Sequence, residues 1–419
     1  MANNFLRLAS ANAYGSALRG ITQRSADLAG LQENLTSGKR VVRPSDDPTA
    51  AAQAERALTR LSRIQTEQRA LELQRNNLAL SESVLGEAVS LMQEFRDLTV
   101  AAGNGANSGR ERETLAAQMT ALREQIFALA NRADTNGLPL FGGLGSSAKP
   151  FTTSVDGAAP DPDYAFNGLP GQRAASEVAV PFMIDGRATW MDVPETNGVF
   201  TVSLGATNTG RVFSDIGQVT DAALAAVDGY DYTIGFATVG GVMTYTATNN
   251  TTAAVVTGEY KENSSIQLGG ISVRVQGTPI DGDTLEVNPN NTDPSTRPSV
   301  FGVLDRSIEG LYLPGTRKGA DSTNANFNHS LAINIAQIDN ALEQLQRGRS
   351  VAGDLMNRAD RVDSQQEERS IQLQSDRSRA EDLDMIAGIS DFQNQQTAYS
   401  AALQSYAQIQ KLSLFNFIG

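Results

Sequence analysis

Apolar residues recur at both ends of the chain in alternating steps of four and three. Leu115, Met119, Leu122, Ile126 and Leu129 keep this spacing, as do Leu331, Ile335, Ile338, Leu342 and Leu345. Such steps place one apolar seam along a helix, the pattern that bundles and coiled coils require. A longer seam runs through Ala57, Leu61, Ile64, Leu71, Leu78, Leu85, Val89 and Met92, interrupted by Gln68, Arg75 and Glu82. Tyr14, Leu18, Ile21, Leu28 and Leu35 hold the heptad near the start of the chain. Near its end, Met385, Ile389, Phe392, Tyr399, Leu403 and Tyr406 hold it too, with Gln396 at a seam position. The centre changes period. Tyr230–Phe236 and Ile271–Val275 alternate every second residue, as half-buried strands do, and Gly240-Gly241 between Val239 and Val242 predicts a hairpin turn.

Proline placement draws the same boundaries. Of the 14 prolines, Pro44 and Pro48 stand apart and the rest fall between Pro139 and Pro314. Proline removes a donor and clashes with the preceding turn, so two proline-free flanks around a proline-rich centre predict helical ends and a non-helical middle. The fold class that follows is α+β: long terminal helices forming a coiled-coil or helical bundle, with a β-rich domain inserted between them. Neither flank can bury its seam alone, so the two ends must pair.

Composition removes much chemistry. There is no Cys and a single His, His329, which excludes thiolate nucleophiles and His or Cys metal clusters. Lys and Arg number 34 against 47 Asp and Glu, for a net charge of -13, so a phosphate backbone is not an expected partner. No apolar run approaches the ~20 residues that cross a bilayer. Met1–Ser10 lacks a basic start followed by an apolar stretch, so any export is expected to use a route that reads no cleaved signal peptide.

Candidate sites mostly have plain readings. His329 has no signalled nucleophile or orienting carboxylate, and it reads as a solvated or capping residue at the start of a helix. Gly142-Gly143-Leu144-Gly145 near Lys149 lacks phosphate-loop spacing and reads as a turn. Asp46-Asp47 and Asp281-Gly282-Asp283 lack the ligand pattern of a calcium loop, and Asp281-Gly282 reads as a turn between strands. Arg56, Arg60 and Arg63 form a basic stripe: a solvated helix face, or one that meets an acidic patch on a neighbouring subunit. The charged stretch Arg358–Asp384 reads the same way.

Two segments call for more. Residues 35–48, LTSGKRVVRPSDDP, stop one helix at Gly38, cross an extended loop through Lys39, Arg40 and Pro44, and open the next helix with Ser45, Asp46 and Asp47 as caps and with Pro48. The chain ends in Leu412, Leu414, Phe415, Phe417 and Ile418 within seven residues, which a soluble monomer would have to bury.

These two segments resemble the flagellin superfamily, and within it the proteins that stand between flagellar hook and filament. Thr36–Val41 with Pro44–Pro48 is similar to their SGKR…PSDDP signature, Ala407–Ile418 to their Q-x-x-KLSLF end, and Gly277–Thr284 to a strand–turn element of their outer domains. The resemblance implies paired terminal helices over 1–48 and 385–419 lining an inner tube, a helical bundle over 49–145 and 299–384, and a β-rich outer domain over 146–298. It implies a non-enzymatic structural subunit without cofactor or metal, located outside the cell in the flagellum, which assembles by helical self-association after type III export. The alternative is flagellin itself, the filament subunit. The implied partners are copies of the chain, a hook-associated protein on the hook side, flagellin on the filament side, and an export chaperone on the C-terminal helix. Neither nucleic acid nor membrane is implied. The corner Gly38–Pro48 is expected to set how subunits fit. The assembly interface is expected to use Leu18, Ile21, Leu28, Leu35, Phe392, Tyr399, Leu403, Tyr406 and the five apolar residues of the chain end.

Overall fold

The computed structural model describes residues 2–145, 149–153, 164–171, 180–290, 297–312, 319 and 324–418; at 2–13, 409 and 411–418 it describes the backbone alone. Contacts divide the chain into two compact units, residues 1–70 with 362–419 and residues 71–361. The division falls inside the two longest helices, α2 (Pro48–Ala102) and α7 (Ala325–Glu381), rather than at the element ends that the sequence suggested.

In the first unit, α1 (Ala2–Ser37) pairs antiparallel with α8 (Met385–Ile418). The hydroxyls of Tyr14 and Tyr406 meet at 2.6 Å, and Gln395 Nε2 donates to Asp27 Oδ2 at 3.4 Å. A second pair joins α2 and α7: Ala57, Leu61 and Ile64 pack on Leu373, while Val41, Ala50 and Ala54 pack on Ala380. Small residues at this contact let the two helix axes approach.

The second unit holds the remaining lengths of α2 and α7 with α3 (Gly109–Ala130) and α6 (Val300–Glu309). The predicted seam residues Leu71, Leu78, Leu85, Val89 and Met92 are buried, as are Met119, Leu122, Ile126 and Leu129 of α3 and Ile338, Leu342 and Leu345 of α7. Two of the polar interruptions have partners: Arg75 pairs with Asp360 at 3.1 Å and Glu82 with Arg349 at 2.6 Å. A capping box of Ser108 and Glu111 opens α3, and the Ser108 amide and hydroxyl hold the Glu111 carboxyl below its usual range. The next residue, Arg112, is buried. Its Nε donates to Ala102 O at 2.9 Å and Nη2 to Asn104 O at 3.0 Å, tying down the C-terminal end of α2, and its guanidinium lies 4.8 Å from the Phe327 ring centre.

An aromatic cluster joins α3 and α6 to β1 (Phe151–Thr153), β2 (Tyr164–Phe166) and α4 (Gly186–Trp190). Phe301 is its hub, with the rings of Phe127, Phe151, Tyr164 and Trp190 all 5.1–5.6 Å away. Beyond it lie β3 (Phe200–Leu204), β4 (Phe213–Ser214), β5 (Gln218–Val219), α5 (Ala222–Asp228), β6 (Tyr232–Val239), β7 (Val242–Asn249), β8 (Val255–Glu259), β9 (Ser264–Leu268), β10 (Ile271–Gln276) and β11 (Thr284–Pro289). One antiparallel sheet runs β3-β11-β6-β7-β8; in the other, β10 pairs with β9 along one edge and with β4 and β5 along the other. Phe200, Ile234, Phe236, Val273, Val275, Leu285 and Val287 belong to one buried core fed by both sheets. The predicted hairpin turn is present, with Gly240 and Gly241 both at positive φ. Asp281 and Asp283 serve the turn at Gly282: Asp283 is buried and accepts from the amides of Thr209, Gly210 and Ile280.

The sandwich enters and leaves at one point, since Asn290 N donates to Val199 O at 2.9 Å. Side chains of α7 also hold this region. Asn340 Nδ2 donates to the carbonyls of Pro194 and Thr196, and Gln344 Nε2 donates to those of Ala188 and Met191. His329 corrects the sequence expectation. It is neither solvated nor a cap: it is buried, with Nε2 3.0 Å from Val202 O and Nδ1 3.3 Å from Ser214 O. Chain-distant carbonyls from β3 and β4 occupy both ring nitrogens, and no local signal in residues 326–330 encodes that.

A neutral imidazole can donate to only one of those carbonyls, yet burial pushes the His329 pKa down, outweighing the two carbonyls that raise it. With the folded value below the unfolded one of about 6.5, stabilisation from neutral His329 is full above pH 6.5 and declines as pH falls through the folded value. The melting-temperature gap between wild type and His329→Gln should therefore narrow between pH 8 and pH 5. A pH-independent gap would contradict this account.

Candidate functional site

The corner between α1 and α2 is built by short-range chemistry. Gly38 ends α1 at φ +68°, a conformation that costs a side chain roughly 1–2 kcal/mol. Asp47 caps α2: its Oδ1 accepts from the amides of Thr49 and Ala50 at 3.1 and 3.0 Å and from the Thr49 hydroxyl at 2.7 Å, with Pro48 at the first helical position. The Ala50 amide, then the Thr49 hydroxyl, and also Arg40 pull the Asp47 pKa down to about 2. Asp46 does something else. Its Oδ2 turns back to accept from the amides of Val42 and Arg43 at 3.2 and 2.8 Å, so it shapes the loop and caps no helix, contrary to the paired-cap expectation. Ser45, also expected as a cap, caps no helix: its hydroxyl donates to Asp46 Oδ1 at 3.5 Å, and it faces solvent with Pro44 and Asp46, while Val41 is buried.

A second helix break lies against the first. Between α7 and α8 the chain leaves helix at Asp382–Asp384, and Asp384 Oδ1 caps α8 through the amides of Ile386 and Ala387. The two breaks exchange backbone hydrogen bonds: Arg40 N donates to Glu381 O at 2.8 Å and Leu383 N to Gly38 O at 3.0 Å. Side chains lock the contact. Lys39 Nζ pairs with Glu381, Arg377 Nε meets the same carboxylate at 3.1 Å, and Arg40 spans Asp47 and the Ala380 carbonyl. Lys39 first, and then Arg377, hold the Glu381 carboxyl below its usual range. Arg43 reaches back to both oxygens of Glu33 on α1. The corner's partner Glu381 and the α8 cap Asp384 were not singled out from the sequence. The breaks in both flanks were visible separately; that they pair was not.

None of the eight expected interface residues whose side chains are described is buried. Leu18 and Leu403 are exposed, and Ile21, Leu28, Leu35, Phe392, Tyr399 and Tyr406 are half-buried. None of the large apolar residues described on α1 or α8 is buried. Leu412, Leu414, Phe415, Phe417 and Ile418 fall on the helix α8, and their side chains lie outside the described residues. Among the described residues no group of three His, Asp or Glu side chains could hold a metal ion, and no helix is long and apolar enough to cross a membrane.

The bacterial flagellin N-terminal helical region matches residues 9–146 and the bacterial flagellin C-terminal helical region residues 335–418, together more than half of the chain. Flagellar hook-associated protein 3 of Salmonella typhimurium is 35% identical over 156 residues, 36% of this chain and 48% of that protein. The match thus spans about half the length of that relative. Among solved structures, the flagellar junction protein FlgL from Legionella pneumophila is 27% identical with a TM-score of 0.63, covering 74% of this chain and 99% of its own. Xanthomonas campestris FlgL is 25% identical with a TM-score of 0.64, covering 77% and 98%.

Gly38→Val should destabilise the first unit by roughly 1–2 kcal/mol, since a β-branched residue resists the left-handed conformation. Urea unfolding followed by circular dichroism should show that loss with native helix content kept at zero denaturant. A variant as stable as wild type would show that the corner tolerates other backbone geometries.

Proposed function

The chain belongs to the flagellin superfamily, and from that premise we propose that it is a structural subunit joining the flagellar hook to the filament. The observation that carries this reading is the uncovered seam of the α1/α8 pair. Apolar positions at heptad spacing run along both helices, and pairing them leaves every large one described exposed or half-buried. Copies of the same chain, packed side by side in a tube, would cover that seam and the apolar chain end. The corner then acts as the angle-setting element between the α1/α8 pair and the α2/α7 pair within each subunit. A hook-associated protein on one side and flagellin on the other complete the stack, and an export chaperone holds the apolar C-terminal helix beforehand. The subunit works outside the cell after type III export. No catalysis enters this reading, and the one histidine has both ring nitrogens occupied by carbonyls. The filament-subunit alternative differs in quantity: a junction subunit forms a short layer, a flagellin the whole filament. The KLSLFNFI end favours the junction.

Deleting the chain from its bacterium should leave hooks without filaments and release unpolymerised flagellin into the medium, as seen by electron microscopy and immunoblotting. Normal filaments in the deletion strain would overturn the proposal.

A second outcome concerns the sandwich. Val199 and Asn290 are hydrogen-bonded neighbours, so residues 200–289 can be replaced by a short Gly/Ser linker without stretching the helical part. The shortened chain should still restore filaments to the deletion strain. A shortened chain that is secreted and folded but restores none would place an essential interface on the sandwich. A cut at 150 instead should fail, because it removes Phe151, Tyr164 and Trp190 from the aromatic cluster around Phe301.

A further inference from the structure

The α2/α7 pair of the first unit carries opposite charge on its two flanks. Its seam is marked by Ala57 and Leu61 against Leu373. At 3.6 residues per turn, Arg56 and Arg60 project to one side of that seam. There they line an open groove of about 500 Å3 with Arg40 and Arg379. Arg40 is engaged by Asp47 and Arg379 by Asp376, but Arg56 and Arg60 are exposed and have no ion pair or hydrogen bond from their side chains among the described residues. On the opposite flank the same helical geometry places Glu55 of α2 and Asp363 and Glu367 of α7. All three carboxylates are exposed and likewise without a partner. Each flank carries one residue of the other sign outside an ion pair, Glu368 beside the arginines and Arg69, whose Nε donates to Gln65 O at 3.2 Å, beside the carboxylates, so the imbalance survives on both.

We infer that the Arg56/Arg60 flank of one copy docks on the Asp363/Glu367 flank of the next. Both pairs are spaced i, i+4, so each presents two charges one helical turn apart, and one pair can meet the other in register. The contact uses different surfaces on the two copies and is therefore head-to-tail, the kind that propagates. It is also staggered. Leu373 packs at the level of Ala57–Ile64, so Asp363 and Glu367 stand roughly ten residues farther along the pair, on the order of 15 Å. A neighbour docked there is displaced along the axis, so successive copies climb instead of closing into a flat ring. The inference rests on the proposed self-assembling role and names the surfaces that perform it.

The deletion strain, complemented with full-length variants, tests it. Arg56→Glu with Arg60→Glu, and separately Asp363→Lys with Glu367→Lys, should each lower the fraction of filament-bearing cells at least about tenfold, because like charges then face each other. Combining all four changes restores complementarity and should recover filaments to within about threefold of wild type. Secretion and circular dichroism should be unchanged, since all four positions are exposed. Because the chain has no cysteine, Arg60→Cys with Glu367→Cys gives an independent reading: within one chain the two sites lie on opposite flanks, beyond the ~7 Å Cα separation that a disulfide spans. Oxidised flagella carrying this variant should yield a ladder of linked copies on non-reducing gels. Double reversals that assemble like wild type, a quadruple variant no better than the doubles, or flagella without the ladder would each overturn the docking. A wild-type chain that fails to complement would instead overturn the junction reading beneath it.

Discussion

Two interrupted helices can pair along their whole length only if both interruptions occur at the same level. That constraint governs the first unit. The break at Gly38–Asp47 and the break at Asp382–Asp384 meet, and backbone groups freed by one are taken up by the other: Arg40 N by Glu381 O, and Gly38 O by Leu383 N. Backbone groups left without partners away from water would be costly, so mutual satisfaction fixes the level of the match as well as its existence. Once it is fixed, Ala380 meets Ala50 and Ala54 on one side, and Tyr406 meets Tyr14 on the other. The side-chain ion pairs around Lys39, Arg40 and Glu381 act on a geometry that the backbone already holds, and most of them are too exposed to supply it alone.

What could be read in the chain follows from the range of the interactions involved. Helix existence, seam membership and the hairpin at Gly240-Gly241 depend on neighbours within a turn or two, and these agree with the structure from Ala57 to Met92 and from Leu115 to Leu129. The corner was legible for the same reason: a glycine stop, an Asp cap and an N1 proline are local devices. The roles of Asp46 and His329 were not. Asp46 has the same residue type and nearly the same position as a cap, and only the turn of the loop sends its carboxylate to Val42 and Arg43. His329 is read wrongly from its neighbours because its partners are more than a hundred residues away in sequence.

The second unit shows how polar side chains of a long helix help to hold a sheet domain. Asn340 and Gln344 point from α7 at backbone carbonyls of the entry segment, and His329 lies between carbonyls of β3 and β4, to one of which its neutral ring donates. Each bond satisfies a group that folding has removed from water, so losing one partner costs more than the bond itself contributes. Polar anchors of this kind fix position and orientation where apolar contact would allow sliding. Arg112 works by the same logic at the end of α2, where its guanidinium replaces water on the Ala102 and Asn104 carbonyls.

The two units differ in how far they finish their own burial, and that difference bears on function. The second unit closes its core around fully buried Phe95, Phe141, Trp190, Phe200 and Phe301. In the α1/α8 pair of the first unit, Leu18, Ile389 and Leu403 keep two-fifths or more of their surface open. Completing the burial of such a pair by association would make its ordering and its assembly one event, since the surface that stabilises the helices is supplied by neighbours. Within the first unit, the corner joins this pair to the α2/α7 pair as a short, backbone-locked connection. A fixed angle is what turns one pairwise contact into a repeating lattice.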